Sequence, residues 1–179
     1  MEFTMNTMRT ETALEAFRLS YGGSAVGTFL VAQSDQGVTA ILLGDDRQTL
    51  RRELERAFPD VLLIEGDAAC TDAVAKVAAL LDAPRLGLAL PLDMRGSALE
   101  RAVWTALRAI PSGETRSYGA LAKSLPVAAT AQEVGAACAA NVLAVAVPCH
   151  RVVKADGSIS GYRWGVHRKR RLIQRESLA

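Results

Sequence analysis

The chain has 179 residues, 50% hydrophobic and 22% charged, the profile of an ordinary globular protein with one large domain or two small ones. No apolar run approaches the roughly 20 residues of a membrane span, and the first ten residues lack a signal peptide's basic start and apolar core. We expect a cytoplasmic monomer with no membrane partner and a flexible tail over residues 1–10. Cys70, Cys138 and Cys149 include no CxxC pair, and the histidines are two, His150 and His167. A disulfide framework and a zinc site are therefore not expected, and no metal or cofactor is assigned.

The net charge of +2 conceals an asymmetry. Residues 1–96 carry 9 basic and 14 acidic side chains, whereas residues 97–179 carry 12 and 5. A basic second half suits a polyanion partner there.

In the first half, the apolar β-prone runs 27–32 and 38–43 flank a turn containing Gly37, which predicts a hairpin. Asp45 or Asp46 can cap a helix over 47–57, with Leu50, Leu54 and Phe58 on one face and Pro59 as its stop. A short strand is expected at 61–64. A second helix should begin at Thr71 or Asp72 and run through Leu81 until Pro84, and a further strand should follow at 86–90. This half shows no internal repeat and no catalytic constellation. Cys70 reads as structural.

In the second half, residues 97–110 read as a helix capped by Ser97, with Leu99, Val103, Leu107 and Ile110 as an apolar stripe and Trp104 as core. Ser117 can cap a helix to Leu125, Pro126 breaks it, and another follows over 130–140. The pair has the outline of a helix-turn-helix, although a generic three-helix core would look the same. Gly135, Ala136, Ala137, Ala139 and Ala140 make the second of these helices slim. That suits either a narrow minor groove or close helix packing. The final helix, from Val166, carries Arg168, Lys169, Arg170, Arg171 and Arg175, a run open to phosphate contact or simple solvation.

The chemistry concentrates at Val147-Pro148-Cys149-His150-Arg151. A cysteine beside a histidine at the end of an apolar run suggests a prepared nucleophile, because an imidazole or positive potential favours the reactive thiolate. Together with Val152, Val153, Gly157 and the string Ser160-Gly161-Tyr162-Arg163-Trp164-Gly165, this stretch resembles the active-site signature of O6-alkylguanine-DNA alkyltransferases. The string from Ile110 to Tyr118 is close to a second signature of that family. The similarity runs from about Leu14 to Glu176 and is greatest to the C-terminal half of the adaptive-response (Ada-type) regulators.

The resemblance implies a small α/β N-terminal supporting domain over 11–92. It implies a mainly α C-terminal domain over 97–179, with a winged-helix-like helix-turn-helix. The activity it implies is single-turnover transfer of the methyl group of O6-methylguanine, and of O4-methylthymine, from double-stranded DNA to Cys149. The base would be flipped from the minor groove. In the implied relay, Glu176 orients His150, which deprotonates Cys149 through water. Asn141 ties the backbone around the cysteine, and Tyr118 crowds the phosphate 3′ to the lesion. Tyr162 would hydrogen-bond the guanine. Val147, Pro148, Val153, Ile159, Arg163 and Trp164 would shape the substrate pocket, with Trp164 narrowing it. Gln132, Gly135, Ala136, Ala139 and Arg151 would meet DNA, although Arg151 reads equally as structural. Gln132 stands where the family has an arginine that fills the vacated stack, which predicts slower extrusion. The alternatives kept open are a lesion sensor that binds without transfer and a part of an Ada-type transcriptional regulator. A cysteine hydrolase would need an oxyanion-hole motif, and none is visible.

Overall fold

The computed structural model describes residues 14–66 and 68–178, so the tail expected over 1–10 lies outside the described residues. β1 (Ala16–Ser24), β2 (Gly27–Ser34) and β3 (Gly37–Gly44) form an antiparallel meander, and β4 (Leu62–Glu65) joins β1 in parallel, giving the order β3-β2-β1-β4. The expected hairpin is β2–β3. Gly37 adopts φ 146°, and a Cβ there would lie 2.5 Å from Pro91 O, so the turn accepts the overlying chain only as glycine.

Sequence patterning does not single out β1, because Gly22 and Gly23 interrupt its alternation. Phe17 and Leu19 nevertheless point into the core, fully buried. α1 (Arg47–Ala57) starts where Asp46 accepts a hydrogen bond from Thr49 N at 2.8 Å, and its Leu50 and Leu54 are buried. Each such leucine contributes about 2 kcal/mol of transfer free energy. α2 (Ala68–Asp82) begins earlier than expected, since Cys70 is itself buried and packing recruits the first turn.

The strand expected at 86–90 is absent. Residues Pro84–Leu86 form a 3₁₀ turn, Gly87 takes φ 68°, and Leu86 is exposed. Proline begins that turn without a donor, and the glycine conformation ends it without an extended ladder.

The second half is mainly helical. α3 (Ala98–Arg108) opens on a capping box between Ser97 and Glu100 and stops short of Ile110, because Ala109 N and Ile110 N bond to carbonyls three residues back. α4 (Tyr118–Ser124) is capped by Ser117, and α5 (Ala131–Ala140) by a second capping box, Thr130 with Glu133. Trp104 Nε1 donates to Ala137 O at 2.8 Å, fastening α5 to α3. Two short strands, β5 (Arg116–Ser117) and β6 (Val152–Val153), pair in parallel and bring the start of α4 beside the chain that follows Cys149. α6 (Val166–Leu178) closes the fold.

The two halves share one contiguous buried core, from Phe17 to Leu172. Ile41 on β3 donates to Val142 O at 2.8 Å and accepts from Ala144 N at 2.9 Å, so the sheet edge carries the segment that leads to Cys149. Arg168 is 6% exposed and donates to Val26 O, Trp164 O and Asp45. Arg175 reaches Leu81 O at 3.2 Å. These two cations of the final helix thus tie the halves together through protein contacts.

Candidate active site

Cys149 opens a 3₁₀ turn, Cys149–Arg151, and its side chain reaches one end of a cavity of about 380 Å³. The chain arrives there under strain. Val145 has φ 62°, unusual for a β-branched residue, and is held by Val147 N donating to Leu143 O at 2.9 Å. Asn141, fully buried at the end of α5, spans the segment. Its Nδ2 donates to Val147 O at 3.0 Å and to Cys149 Sγ at 3.3 Å, while its Oδ1 accepts from Leu143 N at 2.8 Å. The amide fixes both the loop and the sulfur.

Behind the cysteine, His150 Nε2 lies 2.8 Å from Glu176 Oε1, and both side chains are buried. Arg151 grips the same carboxylate, with Nε 3.0 Å from Oε2 and Nη2 2.8 Å from Oε1, and donates from Nη1 to Ile110 O at 2.6 Å. Burial would raise the Glu176 pKa, yet the hydrogen bonds from His150 and Arg151 and the charge of Arg151 outweigh it and hold the group at about 2. An ionised Glu176 accepts from Nε2–H, which leaves His150 Nδ1 as the ring's acceptor. Nδ1 is buried and makes no hydrogen bond within the described residues. Burial also lowers the His150 pKa, partly offset by Glu176, so the imidazole is neutral near pH 7.

Burial raises the Cys149 pKa as well, opposed by the Asn141 hydrogen bond and by the positive charge of Lys169. Lys169 is fully buried and donates to Ser160 Oγ at 2.9 Å, and Ser160 Oγ in turn lies 2.5 Å from the Tyr118 hydroxyl. Tyr118 lines the cavity with Gly135, Cys138, Ala139, Cys149, Gly161, Tyr162 and Arg163. The Tyr162 hydroxyl is buried without a partner among the described residues, and burial raises its pKa far above the usual phenol value.

Of the residues singled out in the sequence, Cys149, Tyr118, Tyr162, Arg163, Gly135 and Ala139 meet at this cavity, with Asn141, His150 and Glu176 directly behind it. Gln132 and Ala136 stand exposed on α5. Val147 and Val153 are buried outside the cavity lining, and Ile159 is also outside it. Trp164 sits behind Tyr162, ring centroids 5.3 Å apart. Pro148 lines a separate cleft together with Arg151. Arg151, expected among the DNA contacts, is turned inward onto Glu176.

Lys169, Ser160 and Cys138 escaped the sequence reading. Lys169 was hidden inside a basic run. The signal was present in the spacing Lys169, Leu172, Glu176, which puts all three on one helix face. All three are buried.

A family model described as "6-O-methylguanine DNA methyltransferase, DNA binding domain" matches residues 98–178. The chain is 47% identical over 162 residues to the bifunctional transcriptional activator/DNA repair enzyme Ada of Escherichia coli, covering 90% of this chain and 46% of that protein. It therefore spans less than half of that relative. The inducible methylated-DNA–protein-cysteine methyltransferase of Bacillus subtilis is 33% identical, with 84% of this chain and 85% of that protein covered. A crystal structure of Mycobacterium tuberculosis OGT in complex with DNA superposes with a TM-score of 0.73 at 30% identity, covering 91% of this chain and 93% of that one.

Proposed function

The chain belongs to the methylated-DNA–protein-cysteine methyltransferase family, and on that premise we propose that it repairs alkylated DNA by moving one alkyl group onto Cys149. The observation that carries this reading is the buried Glu176–His150 pair placed directly behind a cysteine that faces a cavity. The substrate is O6-methylguanine in duplex DNA, with O4-methylthymine as a second one. An alkyl group inside a base stack cannot meet a thiol, so the base must leave the helix first. α5, with Gly135, Ala136 and Ala139 on its outer side, is slim enough to enter a minor groove, and the cavity opens along it. The protein acts as a monomer.

The reaction is an in-line displacement. His150 Nδ1, through a water, takes the proton of Cys149. The sulfur then forms a bond to the alkyl carbon while the carbon–O6 bond breaks and its electron pair goes to guanine. Tyr118 can return a proton to the departing base, with Lys169 supplying it through Ser160. Tyr162 offers the guanine a hydroxyl that has no partner among the described residues. Asn141 holds the sulfur on line. The product is a thioether, which water does not cleave, so each molecule reacts once.

Intact mass after incubation with a duplex carrying one O6-methylguanine tests this. Gain of a single CH2 on Cys149, absent in Cys149→Ala, is the expected outcome. Binding without mass gain would instead identify a lesion sensor.

A further inference from the structure

Among the described residues, Arg163 is the cavity-lining side chain that hydrogen-bonds to the first half of the chain. Its Nε donates to Glu53 Oε1 on α1 at 2.9 Å, and its Nη1 donates to Ala139 O at the end of α5 at 2.9 Å. Its guanidinium also lies 5.9 Å from the Trp164 ring centroid. The side chain thus lines the cavity while held by two anchors, on elements 110 and 24 residues away in the chain. In the same cavity, Cys149 is 4% exposed. Both partners of the ion pair have side chains 26% exposed, so water screens the pair without dissolving it.

We infer that Glu53, a residue of the supporting half, is a specificity-determining positioning residue. By holding Arg163 against the end of α5 it sets how large a group can pass to Cys149. A methyl group passes with the strut in place. A benzyl-sized group needs Arg163 to swing out, which costs the ion pair and the Ala139 hydrogen bond. The first half of the chain therefore acts on substrate choice as well as on support. This rests on the alkyl-transfer reading only for what the gate selects; the gate itself is a matter of access.

The test measures labelling of Cys149 by a small thiol reagent, iodoacetamide, and a bulky one, N-benzylmaleimide. Rates are read peptide by peptide, because Cys70 and Cys138 also carry thiols. Loss of a partly screened ion pair should raise the bulky-to-small ratio in Glu53→Ala by about fivefold. Glu53→Gln, which accepts a hydrogen bond but carries no charge, should fall between it and the parent. Arg163→Ala should raise the ratio at least as far. An unchanged ratio in Glu53→Ala overturns the inference, even where Arg163→Ala raises it. The same variants, assayed with O6-benzylguanine against O6-methylguanine, should show the parallel shift in alkyl transfer. Labelling needs no transfer chemistry, so a protein that takes up no alkyl group still reports on the gate.

Discussion

His150 Nε2 stands 2.8 Å from Glu176 Oε1, and the bond joins the end of the last helix to the turn that carries Cys149. One carboxylate thereby sets the imidazole tautomer, orients the ring and neutralises Arg151. Glu176→Gln keeps the shape and removes the charge. Transfer should fall by about a hundredfold or more, the scale of a lost general-base relay. Arg151 would be left buried without a counter-charge, which should cost about 3–5 kcal/mol of stability. Single-turnover rates and denaturant unfolding check the two effects separately. A stable variant that still transfers at the parental rate would remove Glu176 from the relay.

Acid should destabilise the protein over two pH windows. The His150 pKa is lowered by burial, so between its ordinary 6.5 and the folded value the unfolded chain binds more protons, and stability falls as pH drops below 6.5. Glu176 is held at about 2 against an ordinary 4.5, so its contribution is present above 4.5 and is lost as pH falls from 4.5 towards 2. Unfolding free energy measured against pH should therefore decline through both windows. In Glu176→Gln the lower one should flatten.

Much of this arrangement was legible beforehand, for identifiable reasons. Capping residues Asp46, Ser97 and Ser117 announce helix starts by local chemistry, and each accepts the expected backbone hydrogen bond. The Cys-His pair is adjacent in the chain, and the structure surrounds it with the buried groups described above. What escaped depends on distant packing. β1 is defined by its neighbours on both sides rather than by its own glycine-rich pattern. The apolar run 86–90 fails to form a strand because the turn at Pro84–Leu86 and Gly87 at φ 68° interrupt the extended backbone, and a bridge forms only at Leu92, opposite Val38. Arg168 and Lys169 look like solvated charges until the fold supplies carbonyls and a serine hydroxyl to receive them.

Lys169→Met tests the buried ammonium. The positive charge of Lys169 favours the Cys149 thiolate, so its removal should push the thiol further up. A shift of one pKa unit would slow transfer at neutral pH by about tenfold. The deficit should shrink as pH rises and the thiolate forms unaided. Methionine fills the volume without burying a charge, so thermal stability should not fall. A rate deficit constant across pH would instead place the effect on Tyr118 and the leaving base.

Arg168→Ala separates a structural arginine from a phosphate contact. The change strands the carbonyls of Val26 and Trp164 in a buried site and should cost about 3 kcal/mol. DNA affinity should keep its salt dependence, because no counterion-releasing contact is lost. Unfolding curves and a salt titration of binding read the two. A shallower salt slope with unchanged stability would return Arg168 to the DNA face.

Gln132→Arg addresses the position where this chain departs from the family pattern it resembles. Gln132 is exposed on α5, the helix along which the cavity opens. A glutamine can hydrogen-bond an orphaned base, but it lacks the planar, stacking guanidinium that would fill the gap left by a flipped nucleotide. Unstacking a base costs a few kcal/mol, so better filling should speed extrusion and leave the chemical step untouched. Transfer from duplex O6-methylguanine should therefore accelerate by about tenfold, roughly 1.4 kcal/mol, while transfer from the free base O6-methylguanine stays the same. Stopped-time assays on both substrates give the ratio directly. Equal acceleration on duplex and free base would place the gain in the cavity rather than in extrusion, and no change on duplex would show that position 132 does not fill the stack in this protein.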